Sequence, residues 1–460
     1  MTISSDNFLQ IPSKHNSTLV PITIIGGLFF IFGFVTWLNG ALIPFLQTAC
    51  ELSHVEAYLV TMTFYIAYTV MALPAAAILQ QTGYRKGMVV GLVIMVVGAL
   101  LFIPAASERA YPLFLLALFV LGSGLTILQT AANPYIVLLG PQESAAVRIS
   151  IMGLMNKGAG VIAPIVFSTL LFSDISMFDE TKLDLLDVSQ KILSLQELSE
   201  RLIQPYLFMA AILALLSIAI YYSPLPEINQ EDDDKKAEQL DKKAILGFPQ
   251  LILGVVTLFL YVGVEVIAGD TIGLFGKAMG VVNYASLTSY TMIFMVLAYM
   301  LGMAVIPKYI SQEKALLCSA MIGLILTLCI MLYPNDTYVI SRVMLFWFNN
   351  LDSTNKIPDV VLFVAMLGFA NALVWPTLWP MALNGLGKYI NTGSALLIMG
   401  ISGGAILPFA YGYLADISGD VQMSYVVMLP CYGFILFYAV KGHKIRQWPS
   451  LSKALSKPEK

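Results

Sequence analysis

The sequence predicts an all-α membrane protein of twelve transmembrane helices, and three observations lead there. Hydrophobic residues make up 58% of the 460 and charged residues only 12%, where soluble chains average roughly 45–50% and about 25%. A mean hydropathy of +0.80 spreads that excess along the chain. Apolar runs of about 20 residues, the length a spanning helix needs, recur twelve times between charged or Pro/Gly breaks. This composition excludes a soluble enzyme and a disordered scaffold. A net charge of −3 and a pI of about 5.7 leave no basic face for nucleic acid.

The first run, residues 20–47, follows a polar N-terminus with no cleavable signal pattern and carries Trp37 and Asn39. Runs 56–80 and 87–105 are parted by Gly83-Tyr84-Arg85-Lys86-Gly87. The fourth, 112–139, carries Gln129 and Asn133, an i, i+4 pair on one helical face. Asn133 precedes Pro134, so capping the carbonyls that proline frees is an alternative use of its amide. The fifth run, 147–172, contains Asn156 and Lys157. Lys157 stands ten residues past Val147, about 15 Å into the helix. That is too deep to snorkel, so it is expected to pair with a carboxylate, face a wet cavity or lose its charge.

An amphipathic acidic segment, 173–203, reads as a solvated cap ahead of the sixth run, 205–224. The charge-dense stretch Glu231-Asp232-Asp233-Asp234-Lys235-Lys236 then breaks the pattern. It divides the chain into an N-terminal six-helix half (1–224), a central cytoplasmic loop (225–248) and a C-terminal six-helix half with a cytoplasmic tail (249–460). The seventh run, 249–275, holds Tyr261, Glu265 and Asp270. On a straight helix Glu265 and Asp270 point about 140° apart. Gly269 offers a break that turns both inward, and a solvated helix end is the other reading of Asp270. Runs 284–306 and 313–333 follow. In the tenth, 359–386, Asn371, Trp375 and Trp379 recur at four-residue steps, whereas Asn384 reads as a loop-end residue. Runs 393–414 and 423–440 complete the set.

With both termini inside, 17 of the 25 Lys and Arg residues fall on cytoplasmic segments and seven outside, Lys157 being intramembrane. The positive-inside rule therefore predicts cytoplasmic termini in a bacterial-type inner membrane. No CxxC spacing exists, and His15, His54 and His443 lie outside the apolar runs. No catalytic, metal or cofactor site is predicted, and the four cysteines read as packing residues. Leu139-Gly140 with Gly160–Pro164 is echoed by Leu386-Gly387 with Gly404–Pro408, a faint internal repeat.

The string Gly124-Leu-Thr-Ile-Leu-Gln-Thr-Ala-Ala-Asn-Pro-Tyr135 followed by Leu139-Gly140-Pro141 resembles the fourth-helix signature of the fucose/glucose-galactose branch of the major facilitator superfamily. Trp37–Pro44, Gly83–Gly87, Tyr261–Glu265, Pro376-Thr377 and Gly403–Pro408 are similar in the same way. The resemblance implies uptake of a monosaccharide (glucose or galactose first, N-acetylglucosamine or mannose next) by alternating access, with a proton or sodium ion. A monomer suffices for that design. Three positions depart from the branch. Gly40 stands where an acid follows the Leu-Asn pair, Gln129 where the fucose members have glutamate, and Lys157 where serine is usual. The sugar site is expected from Trp37, Asn39, Gln129, Asn133, Asn156, Tyr261, Glu265, Asn371, Trp375 and Trp379. Ion coupling is expected from Glu265, Lys157 and Asp270. A passive facilitator, a membrane enzyme and a channel are the rival readings. The last two lack a His/Asp or Cys/His constellation and a filter-like repeat.

Overall fold

The computed structural model describes residues 19–139, 145–171, 187–225, 242–306, 308–346 and 357–448. Most of the central loop, half of the segment before helix 6 and the tail beyond Trp448 lie outside the described residues. Among those described, every regular element is helical. Eleven helices are long and apolar enough to cross a membrane. The longest, Val55–Ser107, has 53 residues and would run about 80 Å if straight, far more than one bilayer. It is two helices, 54–82 and 84–107, broken at Gly83, whose φ of 73° and ψ of 176° only glycine adopts readily. That gives the twelve spans the composition called for, with the second and third joined by a single residue.

Helix 1 has two pieces, Leu19–Trp37 and Asn39–Ala49. Helices 4, 5 and 6 are Tyr111–Leu138, Ala145–Leu171 and Ile203–Tyr221. Helix 7 is Pro249–Val266, a π-helical turn Ile267–Thr271, then Ile272–Ala278. Helices 8 and 9 are Leu287–Val305 and Gln312–Leu332. Helix 10 is split into Asp359–Ala372 and Val374–Leu383. Helix 11 runs as Ile390–Met399 and Gly403–Ser418 across one tight turn, and helix 12 is Met428–Val440. The runs read as continuous in helices 1, 10 and 11 are thus each interrupted, and helix 7 is interrupted at the turn that holds Gly269. In lipid such breaks persist only where protein or a cavity satisfies the freed backbone. Leu73, Leu215, Ile325 and Leu332 are exposed in the isolated chain, on surface that acyl chains would cover.

The two ends of the bundle differ. At one end, Glu51 accepts from Arg109 (3.0 Å) and Lys191 (3.1 Å), tying the first, third and fifth connections together. The Lys191 helix, Val188–Glu200, buries Leu195 and Leu198, and Ser199 donates to the Ala106 carbonyl. At that end Asp416 on helix 11 accepts from the Val55 N–H on helix 2, and Tyr58 packs edge-on to Tyr411. At the other end His443 lies 2.8 Å from the Tyr438 carbonyl and 3.2 Å from Glu313, and Arg446 donates to the Asn384 carbonyl. Burial pushes the Cys50 thiol up to about 11, so it stays protonated as a packing residue. Cys431 is buried, and Cys318 is exposed on helix 9.

Candidate functional site

The chemistry converges midway along helices 1, 2, 5 and 7. Lys157 Nζ on helix 5 lies 2.8 Å from Glu265 Oε1 on helix 7, and both residues are more than nine-tenths buried. The ammonium also sits 4.2 Å from the Trp37 ring centroid, an orientation in which the ring quadrupole attracts the charge. Trp37 itself is clasped from two sides. A Cβ at Gly160 on helix 5 would stand 2.7 Å from the indole, and one at Gly269 on helix 7 only 2.4 Å from it. Asn156 Oδ1 accepts from Trp37 Nε1 at 3.3 Å, and its amide donates to the Phe29 carbonyl at 3.4 Å. Trp37 and Asn156 therefore frame the ion pair in this conformation.

An aromatic run leaves the pair toward the His443 end. Tyr261, fully buried one turn before Glu265, has its ring 6.4 Å from Trp375, and Trp375 lies 5.5 Å from Trp379. Both tryptophans are half-buried, and Pro380 and Asn384 beyond them are exposed, so accessibility rises along helix 10. On the facing side, Gln129 Nε2 donates to the Tyr68 hydroxyl at 2.9 Å, and Asn133 is half-buried one turn further on. Tyr68 stacks on Tyr65 with centroids 6.0 Å apart. Tyr65 is close enough to feel the charges of Glu265 and Asp270 electrostatically.

Asp270 is not a solvated helix end: it has no exposure at all. The wider π turn spaces Glu265 and Asp270 differently from a straight helix, and both lie in range of Lys157. Asp270 Oδ2 accepts from Thr61 at 3.4 Å, while its Oδ1 has no partner. Asn371 is set apart from the other helix 10 residues. Its Oδ1 accepts from Tyr432 on helix 12 at 2.8 Å, so part of its amide is spent on packing. Asn39 is buried with its Nδ2 unpartnered, as are Asn371 Nδ2 and Trp379 Nε1. Unpaired buried donors are costly; of these three only the Trp379 Nε1 lies on the aromatic run just described, where a hydroxyl of a small polar ligand would complete it.

Of the residues proposed from the sequence, the structure brings Lys157, Glu265, Asp270, Trp37 and Asn156 together, and also Tyr261 with Trp375 and Trp379. The sequence reading missed Thr61, Tyr65 and Tyr68. Their spacing of i, i+4 and i+7 on helix 2 was the available signal, because it places all three on one face. It is easily lost in a helix that is apolar all round. At Gly40 a Cβ would stand 2.1 Å from Thr288 Oγ1. The missing acid of helix 1 thus coincides with a close approach of helix 8 that leaves no room for one. Among the described residues no group of three or more His, Cys, Asp or Glu is placed to hold a metal ion.

Comparison with known proteins fits this arrangement. Residues 25–408 match the family model described as Major Facilitator Superfamily. A glucose/galactose transporter of Brucella abortus biovar 1 (strain 9-941) is 32% identical over 431 residues, 92% of this chain and 94% of the relative. The L-fucose-proton symporter of Escherichia coli (strain K12) is 26% identical over 443 residues, covering 93% of this chain and 94% of its own. The fold is also that of the crystallised transporter FucP in its outward conformation, with a TM-score of 0.69, 23% identity, and 92% and 99% of the two chains covered.

Proposed function

The chain belongs to the Major Facilitator Superfamily, and we propose that it imports a monosaccharide across a bacterial-type inner membrane by alternating access. The substrate on this reading is of the glucose or galactose type, with N-acetylglucosamine or mannose next. The observation that carries it is the aromatic run Tyr261–Trp375–Trp379 leading to the buried Lys157–Glu265 pair. Indole and phenol faces suit the C–H surfaces of a sugar ring, and the unpartnered amides and the Gln129 side suit its hydroxyls. The names of the curated relatives support the substrate class.

On this reading the chain is two six-helix halves, 1–224 and 249–460, joined by a cytoplasmic loop, with both termini in the cytoplasm. Lys157 and Glu265 then belong to opposite halves, which rock around a site near the bilayer midplane. The Glu51 end, where helices 2 and 11 touch, is the closed outer side, and the His443 end is the cytoplasmic mouth. The protein works as a monomer and uses a cation, proton or sodium. A passive facilitator is the second reading, favoured by the absence of space for an acid at Gly40.

Counterflow of labelled monosaccharides in proteoliposomes, with and without pH and sodium gradients, tests both. Exchange of glucose or galactose with accumulation under a gradient is expected. Exchange without accumulation selects the facilitator, and no exchange with any monosaccharide overturns the reading. A thermal-shift panel with the same sugars gives an independent check, since a ligand that binds the folded state raises its stability by mass action.

A further inference from the structure

We propose, building on the transport reading above, that Asp270 carries the coupling proton and that Lys157 serves as a tethered cation, so that transport is proton-linked and independent of sodium. The site has two carboxylates and one ammonium. Lys157 compensates Glu265 at 2.8 Å. Asp270, wholly buried, has only the Thr61 hydroxyl, and its second oxygen has no partner. A lone carboxylate so placed is too costly to stay ionised, and a proton is the smallest remedy.

Sodium is the other candidate, and the turn is built against it. Broken helices hold sodium through the carbonyls they free. Here the Thr271 hydroxyl occupies the Ile267 carbonyl, Thr291 the Ala268 carbonyl and Thr288 the Gly269 carbonyl, at 2.7, 3.0 and 2.7 Å. Each of these three carbonyl oxygens already accepts a hydrogen bond, which leaves it one lone pair rather than two for a cation.

Glu265 on its own helix, Lys157 from helix 5, and Tyr58 and Tyr65 from helix 2 interact electrostatically with Asp270, and the Tyr425 hydroxyl, just before helix 12, lies 3.0 Å from the Thr271 hydroxyl. Helices 1, 8, 10 and 11 also pack on the turn. Helix 1 has no ionisable side chain, and helix 8 has Tyr290 and Tyr299. Asp359 of helix 10 and Asp416 of helix 11 accept backbone N–H groups elsewhere. Tyr411 of helix 11 donates to the Val421 carbonyl, and Tyr413 is exposed.

Coupling follows from one ammonium and two anions. With Asp270 protonated, its O–H bond formed with a proton delivered by hydronium from the water on the open side, Lys157 stays on Glu265 and the sugar site is assembled. When that bond breaks and the proton returns to water, Asp270 becomes a second anion and draws Lys157 from Glu265. The sugar then loses its site. Lys157 keeps its own proton throughout and no electrons move. By linkage, a proton that tightens sugar binding is itself bound more tightly with sugar present, which is symport.

The test is the Kd of a transported monosaccharide against pH and sodium, for the parent, Asp270→Asn and Lys157→Ser. In the parent the Kd should rise about tenfold or more from about pH 6 to about pH 8, with no response to sodium. Asp270→Asn imitates the protonated acid, so its Kd should lose the pH slope, and gradient-driven accumulation should fall far more than counterflow. Lys157→Ser should lose coupling and remain indifferent to sodium. A parent-like pH slope in Asp270→Asn, or activation of the parent or of Lys157→Ser by sodium, overturns the proposal. If Asp270→Asn does not fold, Asp270→Glu must displace the pH profile, and an unmoved profile is equally fatal. Infrared pH-difference spectra need no sugar and so separate this idea from the transport reading. A protonated-carboxyl band that fades as pH rises and is absent from the Asp270 variant is expected, and no such band in the parent refutes it.

Discussion

At the scale of single residues, Lys157 and Glu265 hold each other in a place where neither would survive alone. Removing one partner of a buried pair leaves an uncompensated charge and typically costs about 3–5 kcal/mol. Lys157→Met and Glu265→Gln should each destabilise the protein on that order, and the double variant should lose much less than the sum. Additive losses in a thermal unfolding cycle would show that the two do not depend on each other. Gln129 donates to the Tyr68 hydroxyl, and on the proposed transport reading it contacts the sugar. Gln129→Ala should weaken sugar binding by about 1–3 kcal/mol, the cost of an unmade buried hydrogen bond, and titration calorimetry reads it directly. An unchanged Kd in a folded variant would remove Gln129 from the site. Lys157 was legible in the sequence because a lysine far from either helix end leaves few outcomes. Its partner could be narrowed to Glu265, Asp270 or oriented carbonyls but not chosen among them, since periodicity says which residues share a helix face and nothing about which helix stands opposite.

At the scale of elements, the positions of the spans were readable and their interruptions were not. Composition locates helices 1, 7, 10 and 11 to within a few residues, and Gly269 hinted at a break in helix 7, but nothing local marks it as a π turn over Ile267–Thr271 or marks the break after Ala372. Both depend on what neighbouring helices offer the freed backbone, which is tertiary information. Gly83 is the exception. A Gly-Tyr-Arg-Lys-Gly string between two apolar runs announces a break, and the structure makes it with one residue. Its φ and ψ fall in a region essentially reserved for glycine, where other residues cost on the order of 1–3 kcal/mol. Gly83→Ala should lower thermal stability by about that amount, and an unchanged melting curve would show that the joint relaxes freely. Gly40→Asp should fail to supply a coupling acid. Its side chain meets Thr288, so reduced yield of folded protein is expected, and a well-folded, more strongly coupled variant would contradict the packing described.

At the scale of the whole molecule, Glu51 fastens three connections at one end of the bundle. Glu51 and Arg109 both adopt left-handed backbone, with φ of 55° and 52°, a strain the bridge helps to hold. The hydrogen bond from Lys191, then that from Arg109, keeps the Glu51 carboxyl below its usual range. A lowered folded-state value contributes stability above the unfolded value of 4.5 and loses it as pH falls through the folded one. Glu51→Gln should therefore melt below the parent at neutral pH and converge on it as pH falls through the lowered folded-state value. A gap that persists in acid would assign the effect to packing. The π turn has a consequence of another kind. It amounts to one residue inserted into helix 7, and each residue of a helix accounts for about 100° of rotation. Deleting Ala268 would restore a regular helix and swing everything on one side of it by about that angle, so that Asp270 and Thr271 would leave their present neighbours together. Point substitutions change this carboxylate one property at a time, whereas a single deletion changes which helices it addresses. An in-frame loss of three nucleotides would therefore redirect this carboxylate while leaving the rest of the bundle's sequence unchanged.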